Sequence, residues 1–496
     1  MISLLAFRNI THRPWRSVLL FLGYGVGVGV MIVLLAIGDA LLTQARDEKL
    51  VGGGAVTVLP EGLDVEVMKT GGIGGLYFSI DHSRFVDRQL LAAPRLANAV
   101  RAVAPQIDGK LLYVTARGRS TAVRALGEIP DATRAVGAAP RLAEGTWRND
   151  GGDAQYVDPS PAALRHELDH FHRPPEGIAN VDSWAEWHYF NVVSDDKQRW
   201  VFMSFIVAGD VNHARWGGKV AITMMRQGSA PRRYALLVPS SGVHFSTTDA
   251  NVSIGGSTVT VLPDGRYAVR GRAVGEQGSG TVTVDLVVTP VPRAYFPGAS
   301  LGTEELASGY AVPALRANAS GTVCENGRCE QFTDAQSYHD HNWGIWRNVT
   351  WDWGAARAGA YTILYGRVIP PDSMAPLPPL FVYVVDSLGF LSVLRPARID
   401  YTDARVIDVA GKSVRVPSRA TFVDGRGEDT LRVTLDVEDA LGTDMHAGRP
   451  ERGEQGVMST MRRPYFIQMK GTATIAGHLD GRPVEGRGTG FFETYR

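Results

Sequence analysis

The chain has 496 residues, and its 51 Lys plus Arg balance 51 Asp plus Glu, so the formal net charge is zero. The length suits two to four domains, and the balance leaves no basic footprint, which argues against nucleic acid as a partner. Its 56 glycines and recurrent Asp-Gly and Asn-Gly turns lean the chain towards antiparallel β structure.

Ser17 to Gly38 carries no charge and is mostly Val, Leu, Ile, Phe and Gly. About 20 such residues cross a bilayer as a helix. Arg8, His12, Arg13 and Arg16 precede the run and Asp39 follows it. The positive-inside rule then puts the N-terminus in the cytoplasm and the bulk of the chain outside, in a periplasmic or extracellular space. Ala36-Ile37-Gly38 also reads as a cleavage site. The run exceeds the usual signal-peptide core, however, so an uncleaved single-pass anchor in the cytoplasmic (inner) membrane is expected. Gly23/Gly27 and Gly25/Gly29 are small-xxx-small pairs that let a partner helix approach.

Residues 46–150 read as a small mixed α/β region. A strand is expected over Ala55–Leu59, ended by Pro60, a short helix with Leu96, Val100 and Val103 on one face, and a strand over Leu111–Thr115. The segments Leu5-Ala6-Phe7-Arg8-Asn9-Ile10 and Arg13-Pro14-Trp15-Arg16-Ser17, followed by the long apolar run, resemble the start of a MacB/FtsX-type ABC transporter permease. The resemblance covers roughly the first 150 residues and implies a MacB-like periplasmic domain with permease and ATPase subunits as partners. No ATPase is encoded: Gly411-Lys412-Ser413 mimics the end of a P-loop, but Val406 stands at its first glycine.

Residues 151–182 are expected to be a linker, opened by Asp158-Pro159-Ser160-Pro161 and closed by Arg173-Pro174-Pro175. Inside it His166-Glu167-Leu168-Asp169-His170 matches the H-E-x-x-H zinc-protease pattern, and His172 follows. A short helix between prolines without a broad apolar side reads instead as a solvated, hydrogen-bonded segment, so no metal and no cofactor are expected.

From 183 the chain is a succession of strands. Trp200 to Val207 is apolar on both faces, and Val282, Val284, Leu286 and Val288, like Leu431, Val433, Leu435 and Val437, alternate with other residues. Many short strands separated by Gly and Asp-Gly turns imply barrels or sandwiches. The length calls for two, divided near Pro370-Pro371 or Pro376–Pro379. Cys324 and Cys329 bracket Asn326-Gly327, a hairpin signal; cysteines flanking such a turn can face each other across two strands, and a disulfide in an oxidising compartment is expected over two ordinary thiols.

Tyr338-His339-Asp340-His341-Asn342-Trp343-Gly344 is the densest cluster of polar and aromatic groups. As a strand it points His339, His341 and Trp343 one way and Asp340 and Asn342 the other. With Trp184-Ala185-Glu186-Trp187-His188-Tyr189-Phe190, Trp351-Asp352-Trp353-Gly354 and Tyr361–Gly366, it resembles the CrtC/AttH-like proteins over about 183–496. That family includes carotenoid 1,2-hydratases and a lipocalin-like component of an ABC-transport cluster.

The resemblance implies a mainly β fold of two tandem lipocalin-like β-barrels, 183–370 and 371–496, behind a membrane stub (1–45) and the α/β region. It implies His341, Trp343 and Tyr365 as catalytic residues, although Arg367 stands where the family's acid follows the tyrosine. Glu186, Trp187, Tyr189, Tyr338, His339, Asp340, Asn342, Trp351 and Trp353 would line a ligand site. Three functions follow: a membrane-anchored carrier of a hydrophobic or lipid-like molecule beside an ABC permease, a hydratase, lyase or isomerase acting on a polyene or terpenoid, and a non-catalytic scaffold for a permease.

Overall fold

A computed structural model describes residues 14–47, 55–58, 83, 86, 98–116, 119–139, 161–213, 215–275, 278, 280–302, 307–346, 349–370, 380–426, 428–444 and 464–496. The chain divides into two compact units, residues 1–79 with 100–148, and residues 80–99 with 149–496.

In the first unit, α1 (Pro14–Asp47) contains the apolar run. Its Pro14–Ala36 portion, 23 residues, is long and apolar enough to cross a membrane. β1 (Gln106–Ala116) and β2 (Arg119–Glu128) form an antiparallel hairpin, which contains the expected strand at Leu111–Thr115. α2 (Pro130–Ala135) follows, with Pro130 pre-set for a first helical turn. Two expectations fail here. Ala55–Val58 form no strand, and Val100 and Val103 lie in no helix. Three spaced apolar residues ahead of Pro105 are too few to nucleate a helix. Leu59, Pro60 and Leu96 lie outside the described residues.

The second unit is mainly β. α3 (Pro161–Asp169) leads into β3 (Trp184–Val193), β4 (Arg199–Asp210), β5 (Arg215–Arg226), β6 (Arg232–Pro239), β7 (Val243–Phe245), β8 (Val252–Ile254), β9 (Ser257–Val261), β10 (Tyr267–Gly275), β11 (Thr281–Pro290), β12 (Phe296–Gly302), β13 (Ala307–Glu325) and β14 (Arg328–Ile345). Strands β3, β4, β5, β6, β10, β11, β13 and β14 pair in that order, and β14 returns to β3, which closes an eight-stranded antiparallel barrel. Closure leaves the eight barrel strands without a free edge among themselves, while β9-β8-β7 and β12 extend from β10 and β13, and eight strands enclose just enough room for side chains. Phe190, Met203, Phe205, Ile222, Tyr267 and Leu286 fill that room. β13 bends through bulges, one of them spanning Ala311 and Ala314, where Pro313 is tolerated. At the β13–β14 turn Asn326 and Gly327 both take positive φ, 51° and 80°, as a two-residue hairpin turn requires. The Cys324–Cys329 disulfide crosses it.

A second sheet follows: β15 (Thr350–Ala358), β16 (Tyr361–Ile369), β17 (Phe381–Asp386), β18 (Gly389–Leu394), β19 (Asp400–Thr402), β20 (Arg405–Val409), β21 (Lys412–Val416), β22 (Arg419–Arg426), β23 (Asp429–Asp444), β24 (Tyr465–Leu479) and β25 (Arg482–Tyr495). Nine strands run β18-β17-β16-β15-β25-β24-β23-β22-β19, with β20–β21 as a separate hairpin. The sheet curls around its own core of Val382, Phe422, Val433, Ile475 and Phe492. Its ends meet where the Arg395 N–H, just past β18, donates to Asp424 Oδ2 on β22 at 2.6 Å. Among the described residues the ladder itself does not close: it ends at the short edge strands β18 and β19.

The passage between the sheets falls between β14 and β15, not at the prolines of 370–379. β16 and β17, on either side of that Pro-rich stretch, pair with each other inside the second sheet. Prolines interrupt a strand by removing a ladder donor, but they need not end a domain.

Candidate functional site

The β3–β14 pairing sorts the signature residues onto two faces. Trp343 lies opposite Glu186, His341 opposite His188, His339 opposite Phe190, Asn342 opposite Trp187, and Asp340 opposite Tyr189. Paired residues share a face. His339, His341 and Trp343, with Glu186 and His188, therefore point into the closed barrel, while Tyr338, Asp340 and Asn342, with Trp187 and Tyr189, point out towards the second sheet.

The inward face is completed by the stretch expected to be a linker. α3 is docked, not solvated: Arg165, Leu168 and Asp169 are buried, and the Arg165 guanidinium donates to the Pro313 carbonyl. Phe171 follows the helix into the barrel and packs on His188 and His341, with ring centroids 4.9 and 5.2 Å away. Asp169 is fully buried at the centre. Its Oδ2 accepts the Tyr267 hydroxyl at 2.8 Å and lies 2.8 Å from His339 Nε2. Its Oδ1 lies 3.1 Å from His188 Nδ1 and 2.8 Å from His341 Nδ1. Glu186 Oε1 lies 2.9 Å from His341 Nε2 and 2.8 Å from His172 Nδ1, and both Glu186 oxygens accept the His172 N–H.

The field of this cluster separates its two acids. Burial works against ionisation of Asp169, but His188 and His339 outweigh it and hold the carboxyl well below the usual range. Burial pushes Glu186 well above its usual value, opposed by the His172 N–H and reinforced by Asp169. Burial and His188 lower His341 to about 4, and burial and His341 lower His172 to about 2. Only His172 reaches solvent, with 26% of its side chain exposed, stacked on the Trp343 indole at 4.0 Å and 11°. Gly309, opposite Trp343, makes room for that indole: a Cβ there would stand 2.3 Å from its ring.

The outward face forms a seam with the second sheet. Tyr338 donates to Asp340 Oδ2 at 2.8 Å, Asn342 Nδ2 to Asp340 Oδ1 at 2.7 Å, and Trp353 Nε1 to the Tyr338 hydroxyl at 3.0 Å. Trp351 Nε1 and Gln468 Nε2 donate to the two oxygens of Glu493, at 3.0 and 3.1 Å. Burial, then Glu493, pushes Asp340 well up, and burial raises Glu493 to about 7. A cavity of about 30 Å³, room for one water, is lined by Asn191, Trp200, Ser337, Tyr338, Arg357 and Phe491 among others. At one end of the seam Trp187, Trp346 and Trp351 are half-buried. Trp187 lies 4.9 Å from Trp346, and Trp351 lies 5.7 Å from Trp346 and 5.4 Å from Phe466.

The residues proposed from the family resemblance therefore fall in three places. His341, Trp343, His339 and Glu186 share the barrel interior; Trp187, Tyr189, Tyr338, Asp340, Asn342, Trp351 and Trp353 share the seam. Tyr365 joins neither, since it is buried in the second core, 5.1 Å from Phe422. It is not brought to His341, because β16 turns it inward to its own sheet. Arg367 is bound to Asp352 at 2.7 Å. The H-E-x-x-H pair does not converge: α3 ends at Asp169, and His166 Nδ1 accepts the Ala250 N–H at 3.1 Å. Sequence reasoning missed Asp169, His172, His188 and Tyr267. The period-two alternation from Glu186 pointed to His188, whereas nothing local pointed to the others.

No family model matches the chain, and no curated protein matches it. Among solved structures it is similar to an AttH candidate from Nitrosomonas europaea, at 14% identity and TM-score 0.43, over 66% of this chain and 98% of that one. It is also similar to kievitone hydratase from Nectria haematococca, at 14% identity and TM-score 0.40, over 66% and 94%. A third is CghA with Sch210972, at 15% identity and TM-score 0.42, over 68% and 97%. The architecture described above rests on this chain's own strand pairing.

Proposed function

We propose that this chain is an extracytoplasmic binding module, tethered by α1, that takes a hydrophobic or lipid-like molecule at the aromatic end of the seam. The observation that carries the reading is the half-buried group Trp187, Trp346, Trp351 and Phe466. Indole and phenyl rings left partly in water offer a large apolar surface with a polar tip. The barrel interior is packed, so a ligand sits against the seam and not in a lumen. The apolar Pro14–Ala36 helix and the Cys324–Cys329 bond support an anchored protein facing an oxidising compartment. Gly23/Gly27 and Gly25/Gly29 on α1 supply a surface for a transporter permease.

The test places the full chain in nanodiscs and titrates a brominated fatty acid, which quenches nearby indoles. Saturable quenching is expected, weakened at least tenfold in Trp187→Ala and Trp351→Ala. Quenching that does not saturate, or that both variants retain, would sink the proposal.

A further inference from the structure

The buried imidazoles around Asp169 carry a consequence independent of the seam. His339 Nδ1 lies 2.9 Å from the Tyr189 carbonyl oxygen, and His188 Nε2 lies 3.1 Å from the Ala250 carbonyl oxygen. A carbonyl oxygen only accepts, so each of these nitrogens carries its hydrogen. When the rings are neutral, the opposite nitrogens, His339 Nε2 and His188 Nδ1, present lone pairs, and both face the Asp169 carboxylate. Three electron-rich atoms thus converge in a site where all three side chains are fully buried. His188 Nδ1 and Asp169 Oδ1 have no hydrogen-bond partner, although they stand 3.1 Å apart. Lone pairs aimed at a carboxylate repel it, so either a second proton on each ring or a metal cation must lie between them.

We infer that Asp169, His188 and His339 hold one divalent transition-metal ion of the zinc class, through a carboxylate oxygen, Nδ1 and Nε2 respectively. These three atoms lie within 4.8 Å of one another. Ligands at about 2.0–2.2 Å around a tetrahedral zinc stand roughly 3.3–3.6 Å apart, so the cluster meets the requirement with small adjustments. The surroundings are those of a metal site. Both histidines are fixed by backbone carbonyls, which is how a ligating imidazole has its tautomer set. Asp169 is held by the Tyr267 hydroxyl and flanked by His341, which is itself backed by Glu186. His341 and Glu186 are positioning residues here. Two nitrogen ligands and one oxygen ligand suit zinc, cobalt or iron better than calcium or magnesium. Because α3 supplies Asp169 while β3 and β14 supply the histidines, the ion pins the helix across the mouth of the barrel.

Because the site is closed, the metal must be supplied as the protein folds. The full chain is expressed in medium containing zinc or cobalt, purified in detergent, and its metal measured by elemental mass spectrometry. One equivalent per chain is expected, with visible absorption bands of four- or five-coordinate cobalt. His188→Gln and His339→Gln should each lose at least nine tenths of the metal, whereas His213→Gln, at an exposed position, should keep it. Wild-type protein carrying less than a tenth of an equivalent from either medium would overturn the inference and leave two protonated imidazoles as the answer. A full equivalent retained in the His188→Gln/His339→Gln double variant would do the same. Wild-type stoichiometry decides even if a variant fails to fold, and ligand binding at the seam reports separately.

Discussion

Glu493 shows how much a single buried carboxyl controls. The indole of Trp351 and the amide of Gln468 occupy its oxygens, yet burial still raises it to about 7. In the unfolded chain it returns to about 4.3. Between those values the folded state holds a proton that the unfolded state has released. Its contribution is therefore fully present at low pH and is lost as pH rises towards 7. Glu493→Gln keeps an acceptor for Trp351 and removes the titration. It should raise the stability at pH 8 by at most about 4 kcal/mol, read as a higher thermal midpoint, and leave both nearly unchanged at pH 4. Equal effects at both pH values would mean that burial of charge is not the cause. At this scale the alternation of 338–344 was legible from strand periodicity alone. The protonation chemistry was not, because it depends on which groups arrive from elsewhere.

At the scale of elements, α3 and the residues after it are the clearest departure from expectation. In the sequence, proline breakers, polar composition and a five-residue zinc-protease match single out His166 and His170. The residues that matter are Asp169, Phe171 and His172, the first at the last position of the helix and the others beyond it. Phe171 is 1% exposed and touches two of the site's histidines. Phe171→Ala should cost about 3–5 kcal/mol and release the segment before the barrel itself opens. Hydrogen exchange would then show faster exchange over 161–173 while β4 remains protected. Unchanged exchange across 161–173 would show that Phe171 does not hold this segment in place.

At the scale of the molecule, the two β bodies share a core of Trp184, Trp200, Phe202, Tyr338, Trp353, Leu364 and Phe491. Arg357 of the second sheet also donates to Asn318 Oδ1 on β13 at 3.0 Å. A seam this apolar resembles a domain interior more than a contact between movable domains. The bodies should therefore unfold together, with amides of β4 and β24 losing protection over the same range of denaturant. Two separated transitions would show that the seam is dispensable. The position of the division, after β14, was hidden in the sequence because strands on either side read alike and proline content marked the wrong loop.

The sequence by itself determined what is local. It specified an apolar helix of membrane length, strands with their inward and outward faces, and a hairpin tight enough to bridge Cys324 to Cys329. Each follows from the covalent geometry and periodicity of a few neighbouring residues. Only the tertiary structure decided that Asp169 meets His339, 170 positions away, that Tyr365 turns into a different core from His341, and that the first barrel closes while the second sheet only curls. Those outcomes depend on which distant strands pair and on how the space they enclose is filled, and no short stretch of chain contains that information.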